Sequence, residues 1–295
     1  MPDFFVSVII PTYNDWDRLS KCLSCLADQT YPSHHVEIII ANNNPANLPP
    51  PGYLTPGNCQ IIGAKEKGSY AARNEGLKYA RGEIIGFTDS DCFPDKNWIM
   101  NAVSFFKNNP AYSRLAGNIK LFYKDNILTS AELYEKIFAF KQEKNVRTMS
   151  SSVTGNMFAK KSVFDRIGGF KEDLLSGGDH EWSARAQQEG FQIAFCKDVV
   201  ILHPARYRIK ELTRKTKRVA GGKTLSRKTN KIRTLLGLIK LVRPPMRQAV
   251  ITIQREGPDL NFNQKLRVYI LKYYLDIVER IEAAKITFGK PATRE

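Results

Sequence analysis

The sequence predicts an α/β protein: a mostly parallel sheet flanked by helices, followed by a basic, helical C-terminal extension. Three observations carry that reading. Through the first half of the 295 residues, short apolar runs alternate with segments of helical periodicity, the pattern of βαβ units. Three of those runs end in polar clusters, the place where open parallel sheets bind their ligands. Between Pro204 and Arg247, fifteen Lys or Arg stand against the single acid Glu211, so this segment holds +14 of the chain's net +16.

Taken in order, Phe4 to Ile10 is apolar apart from Ser7 and reads as a buried strand; no basic stretch precedes it, so no export signal is expected. Asp15 to Asp28 is helical and carries Cys22 and Cys25, which lack a second pair and read as packed thiols rather than a zinc or redox site. Val36 to Ala41 and Cys59 to Ala64 are strands. The Asn42-Asn-Asn-Pro45 and Pro49-Pro-Pro-Gly52 stretches between them mark a surface loop. Ser69 to Ala80 is a helix, Glu83 to Thr88 a strand, and Asp95 to Lys107 a helix with Asp95 as its cap. Phe191 to Phe195 and Asp198 to Leu202 are two further strands. Gln264 to Ile286 is an amphipathic helix whose apolar stripe (Leu266, Ile270, Tyr273, Tyr274, Ile277, Ile281, Ala284) is expected to pack on the domain or on a second subunit, making a homodimer, with lipid as the alternative. Two domains follow, residues 1–205 and 206–295.

With 42% hydrophobic residues over this length, disorder, collagen and a disulfide miniprotein are excluded. Five cysteines, an odd number, predict free thiols and a cytoplasmic protein. The longest approach to a membrane span, Leu235 to Val242, is eight residues interrupted by Lys240. Three partners suit the basic segment: nucleic acid, an anionic membrane surface, or a phosphorylated substrate. A solvated linker is the bland alternative. With one Tyr and no Phe or Trp, the segment offers little to stack bases, which disfavours nucleic acid. A peripheral position on the inner face of a membrane is the expectation.

Chemistry concentrates at three places. Asp89-Ser-Asp91 closes the strand Ile84 to Thr88, and two carboxylates so close repel unless a cation sits beside them. Hard oxygen ligands suit Mg or Mn bridging a diphosphate; a solvated or capping pair is the other reading. In Ser176-Gly-Gly-Asp179-His-Glu181-Trp182, glycines precede two acids at a helix start, as either a general base or a plain N-cap. His203 ends the strand Val199 to Leu202 as a metal ligand or an ordinary strand-end histidine.

These clusters in this order, with Pro11-Thr-Tyr-Asn14, Ala72-Arg-Asn-Glu-Gly76 and Ala80-Arg-Gly-Glu83, resemble the family 2 glycosyltransferases, inverting enzymes of the Rossmann-like GT-A fold. The resemblance runs from about Val6 to His203 and implies that a nucleoside diphosphate sugar binds at the strand ends. Pro11, Thr12 and Asn14 then line the nucleotide pocket, Arg73 meets base or diphosphate, and Asp89 and Asp91 hold the ribose and a Mn or Mg ion, Asp91 as direct ligand. His203 completes the metal site. Asp179 matches the catalytic base, with Glu181 as fallback. Asn42 stands where relatives usually place an aspartate on the uracil; an amide both donates and accepts, which still allows uracil, and the resemblance makes a UDP-sugar the expected donor. Processive synthases carry Gln-x-x-Arg-Trp, whereas this chain has Lys215-Thr-Lys-Arg218-Val219. That implies a non-processive transferase, with Arg218 on the diphosphate and Arg206 to Lys223 as a mobile segment closing over the donor. The acceptor is expected to be a glycan or lipid-linked molecule in cell-surface polysaccharide or glycolipid assembly. A non-catalytic scaffold of the same fold is the alternative. Gly221-Gly-Lys-Thr224 is not a phosphate loop, because Lys217 occupies the first glycine position and no strand precedes it.

Overall fold

A computed structural model describes residues 4–225 and 246–293. Among them, eight strands form one sheet in the order β3-β2-β1-β4-β7-β6-β8-β5. β1 (Val6–Thr12) pairs parallel with β2 (Val36–Asn42) and β4 (Ile84–Thr88), and β2 pairs parallel with β3 (Cys59–Gly63). β7 (Asn156–Lys160) turns the sheet antiparallel, against β4 and against β6 (Tyr112–Phe122); β5 (Phe93–Pro94) is antiparallel to β8 (Gln192–Pro204). The parallel half is therefore the expected one, and the sheet as a whole is mixed.

The central parallel strands form where the sequence is apolar on both faces: all seven residues of β2 are buried. Glu37 is tolerated there because Ser7 Oγ donates to its Oε1 at 2.6 Å, and the Arg81 backbone N–H and Nε reach its two oxygens at 2.7 and 2.9 Å. α1 (Trp16–Ala27) lays Trp16, Leu19, Cys22, Leu23 and Leu26 on the sheet, one helical stripe. Cys22 is thus a packed thiol, and all five cysteines are free. α3 (Trp98–Asn108) buries Trp98 with its ring 4.5 Å from that of Phe158. Asp95 is not its formal cap; the carboxylate accepts from the Asn97 N–H at 2.9 Å in the turn before the helix. The two strands expected around 191–202 are one continuous β8.

The chain divides into two compact units. The first comprises residues 1–120, 140–172 and 178–203. The second gathers residues 121–139, 173–177 and 204–295, so it draws on three stretches rather than only on the chain beyond 205. Its physical basis is α4 (Ser130–Phe138), whose Leu133 and Ile137 share a core with Ile253 on α9 (Met246–Glu256) and Val268 on α10 (Phe262–Thr287). α8 (Ile209–Leu225) adds Leu212, which packs with Leu271 and Leu275. Capping boxes, Thr129 with Glu132 and Asn261 with Gln264, start α4 and α10.

Two expectations about this unit change. The stretch Arg206 to Lys223 is largely the packed helix α8, and Gly221-Gly-Lys-Thr224 lies inside it. A Cβ on Gly222 would lie 2.7 Å from the Ser176 carbonyl oxygen, so the glycine serves close packing of helix on chain. On α10 the buried face is Val268, Leu271 and Leu275, whereas Leu266, Ile270, Tyr274 and Ile281 of the expected packing stripe are exposed. The apolar run Leu235 to Val242 lies outside the described residues, and no described helix is long and apolar enough to cross a membrane.

Candidate active site

The first unit brings the polar strand ends together. At the end of β1, Thr12 is buried with its hydroxyl unpartnered, and Asn14 adopts a left-handed φ of 53°. Asn14 Oδ1 accepts from Asn44 Nδ2 at 2.8 Å. The three asparagines after β2 build the loop: Asn42 Nδ2 donates to the Asn47 carbonyl at 2.9 Å while its Oδ1 accepts from the Asn44 N–H at 3.0 Å. Asn43 Oδ1 takes the Gly68 N–H at 2.7 Å, tying the loop to the approach of α2 (Ser69–Tyr79). Asn42 therefore enters any base contact with one N–H and one lone pair of its amide already committed.

Two side chains one turn apart on α2 reach the two acidic clusters. Arg73 Nη2 binds Asp89 Oδ1 in a charge-assisted contact, and Arg73 is itself buried, with Nε unpartnered. Tyr70, buried three residues earlier, donates its hydroxyl to Asp179 Oδ1 at 3.2 Å. Burial and the neighbouring Asp179 charge raise the Tyr70 pKa, keeping it a donor. Gly178 makes this approach feasible, since a Cβ there would sit 2.8 Å from the Tyr70 ring.

Asp179 lies in the first turn of α7 (Gly178–Gln188) and is 8% exposed; its Oδ1 also accepts from the His180 N–H at 3.0 Å. The helix that carries it is held at several points. Trp182 stacks on Phe164 with centroids 4.5 Å apart and donates to the Gly168 carbonyl at 3.0 Å. Arg114, fully buried on β6, donates to the Ser183 carbonyl at 3.0 Å and to Gln187 Oε1 at 3.0 Å. Glu181, the fallback base, is occupied: Arg185 Nε and Lys171 Nζ reach its Oε1 at 3.0 and 2.9 Å. Burial works to raise its pKa, but the bonds from Arg185 and Lys171 outweigh this and leave it below the usual value. A carboxylate so held is a poor proton acceptor, which separates it from Asp179.

Asp91 and His203 form the candidate metal position. His203 Nε2 lies 3.8 Å from Asp91 Oδ1, and Cys92 Sγ is the third donor within 4.8 Å of both. Two ligands of one Mn or Mg ion at about 2.1 Å each stand roughly 3–4 Å apart, so the carboxylate and imidazole fit one ion and suit Mn, whereas the Cys92 sulfur is a soft donor that does not. Asp89 is engaged on one side by Arg73. The sequence reading missed the residues behind Asp91: Arg18 Nη1 approaches its Oδ2 at 3.2 Å, Arg18 Nε binds Asp15 Oδ1 at 2.8 Å, and Ser90 Oγ donates to Asp15 Oδ2 at 2.9 Å. The pairings of Tyr70 and Arg18 depend on approaches of distant chain that no local motif signals. Pro11 and Thr12 are the last two residues of β1, and Arg218 lies on α8 in the second unit.

Comparisons with known proteins establish the family and the fold. The model of the family described as glycosyl transferase family 2 matches residues 7–168. Glycosyltransferase AglE of Haloferax volcanii is 34% identical over 223 residues, 74% of this chain and 72% of that protein. The dolichyl N-acetyl-alpha-D-glucosaminyl phosphate 3-beta-D-2,3-diacetamido-2,3-dideoxy-beta-D-glucuronosyltransferase of Methanococcus voltae is 24% identical over 227 residues, 72% of this chain and 70% of that one. Among solved structures, a mannosyltransferase from Pyrobaculum calidifontis in complex with GDP-Man and Mn2+ superposes with a TM-score of 0.59 at 17% identity, over 98% of this chain and 88% of that one. TarS of S. aureus in complex with UDP-GlcNAc gives 0.53 at 17% identity, over 97% and 92%. The fold is that of the GT-A glycosyltransferases, and the chain belongs to glycosyl transferase family 2.

Proposed function

We propose that this glycosyltransferase moves one sugar, with inversion, from a UDP-sugar to an acceptor hydroxyl, with Asp179 as general base and a divalent Mn or Mg ion at Asp91 and His203. The observation that carries the reading is the double reach of α2: Tyr70 onto Asp179 and Arg73 onto Asp89. One rigid helix thereby fixes a base and the acidic strand end in a common frame, as an in-line displacement needs.

Both hydrogen bonds to Asp179 fall on Oδ1, so Oδ2 is the oxygen assigned to take the proton as the acceptor oxygen attacks the anomeric carbon. A bound divalent ion would neutralise charge on the departing diphosphate. Arg73 holds Asp89, the residue assigned to the ribose, and Thr12 and Asn14 line the nucleotide side, where the unpartnered Thr12 hydroxyl has a donor and lone pairs to offer. Arg218 is assigned to the diphosphate. Lacking the processive motif, the enzyme adds a single sugar.

The acceptor class assigned here is a lipid-linked glycan, in cell-surface polysaccharide or glycolipid assembly at an anionic membrane surface. The Methanococcus voltae relative is named for a dolichyl phosphate-linked sugar. Calorimetric titration with UDP, GDP, dTDP and CDP, each with and without Mn, tests the donor site. UDP binding that needs the ion and disappears in Asp91→Asn is the expected result; ion-independent binding, or a preference for another base, overturns that part of the reading.

A further inference from the structure

The outward side of α10 is apolar where no described part of the fold covers it. Phe262, Leu266, Ile270 and Tyr274 recur every fourth residue, and at about 100° per residue they span an arc of roughly 120°. Phe262 is 78% exposed and Ile270 58%. The opposite side of the same helix is already buried through Val268, Leu271 and Leu275. Among the described residues this second, contiguous apolar row packs into none of the cores, and it marks a partner surface.

The row continues across the second unit. Thr213 Oγ1 lies 3.5 Å from Tyr274 Oη, which puts the exposed Ile209, one turn earlier on α8, alongside. Arg267, on the rim of the row, donates to Ser130 Oγ at 3.0 Å and to the Leu128 carbonyl at 3.2 Å. This links the row to the loop before α4, where Ile127 is 86% exposed and, with Tyr207 and Arg267, lines a cleft of 630 Å³.

Cations border this surface. Lys124 Nζ stands 4.9 Å over the Tyr207 ring, and Lys210 and Arg214 are exposed on the flank of α8 next to Ile209. Asp125 is the acid at the cleft, while on α10 Asp276 and Glu279 are engaged by Lys272 and Lys223. Aliphatic and tyrosine side chains in a row, edged by Lys and Arg, match a bilayer interface with anionic headgroups.

We infer that this face, the outward row of α10 with Ile127 and Tyr207, docks the enzyme on an anionic lipid bilayer. The inference deepens the reading of a lipid-linked acceptor and rests on it for its purpose, but not for its observations.

The test is flotation of the full chain with vesicles of phosphatidylcholine alone and with one third phosphatidylglycerol. Binding to the anionic vesicles that weakens with salt is expected. Leu266→Gln with Ile270→Gln should reduce it at least about tenfold, through lost apolar burial. Lys210→Gln with Arg214→Gln should reduce it about thirtyfold, at ~1 kcal/mol for each cation. Ile270→Trp should fluoresce with quenching by brominated lipid, since Trp16, Trp98 and Trp182 are all buried. Binding to neither vesicle, equal binding to both, or indifference to both double variants overturns the inference. So does a dimer in sedimentation equilibrium that the α10 double variant dissolves, which assigns the row to a second copy. UDP titration of the same variants separates the two readings, because docking can stand where donor binding fails and the reverse.

Discussion

One hydroxyl, that of Tyr70, sets the orientation of the proposed base. It reaches Asp179 Oδ1 at 3.2 Å across a buried contact, and Tyr70→Phe removes the bond while keeping the ring against Gly178. A hydrogen bond to a charged acceptor is worth ~1.5 kcal/mol, so kcat should fall about tenfold with the UDP dissociation constant unchanged. Steady-state kinetics and calorimetry on the same variant check both halves. The two acids of α7 should separate in the same assay. Asp179→Asn removes the proton acceptor and is expected to lower kcat by roughly a thousandfold. Glu181→Gln, whose carboxylate is held by Arg185 and Lys171, should stay within about twofold of the wild type, as a residue outside the proton transfer does. Equal losses from the two substitutions would remove the distinction between them.

At the scale of elements, α8 shows why a charge run is not one surface. Glu135 on α4, with its side chain 1% exposed, receives Arg206 at 2.7 Å and Lys215 at 3.2 Å, so two of the fifteen cations of the basic segment hold the second unit together. Burial raises the Glu135 pKa, yet Arg206 and Lys215 outweigh it and hold the carboxyl below its usual range. Lys215 is pushed down to about 8, by burial first and then by Arg206, with Arg218 adding to the repulsion. A lysine lowered on folding binds fewer protons folded than unfolded between pH 8 and its ordinary 10.5, so its contribution to stability rises with pH across that window. Lys215→Met should flatten that rise in urea denaturation measured at pH 8 and pH 10. Glu135→Gln leaves the cations uncompensated and should cost about 3 kcal/mol at pH 7. The sequence revealed the run of charge but not this division of labour, because Glu135 lies seventy-one residues before Arg206. Strands β1, β2 and β4 were legible because burial on both faces leaves an uninterrupted apolar string. β8 read as two strands because Cys196 and the exposed Lys197 separate its two apolar runs. On α10 both faces are apolar, and periodicity alone could not say which one the fold would bury. The candidate site was legible as clusters at strand ends; the links that join them, Tyr70 to Asp179 across 109 residues and Arg18 to Asp91 across 73, are long-range.

For the whole molecule, the proposed donor site would couple nucleotide binding to unfolding through the strand ends of the first unit. Thr12, Arg73 and Thr88 each bury a polar atom that has no hydrogen-bond partner among the described residues. Such groups lower the stability of the unliganded fold by about 1–3 kcal/mol apiece where neither water nor ligand reaches them. A nucleotide that engages any of them binds only the folded chain, and at a hundred times its dissociation constant it adds about 2.7 kcal/mol of stability. The thermal midpoint of the full chain should therefore rise by several degrees with UDP and Mn together. In the proposed reading Asp91 and His203 would hold the ion, whose charge would offset that of the diphosphate, so UDP with a chelator should give a much smaller rise. Asp91→Asn should lose the response to the pair while unfolding near the wild-type midpoint without ligand, because Asp91 is partly exposed and is met by Arg18 from the surface. The measurement is differential scanning calorimetry of wild type and Asp91→Asn with UDP, with Mn and with both. A full shift from UDP alone would place the nucleotide on the protein's own groups and remove the ion from donor binding. A full shift in Asp91→Asn would move the ion to other ligands.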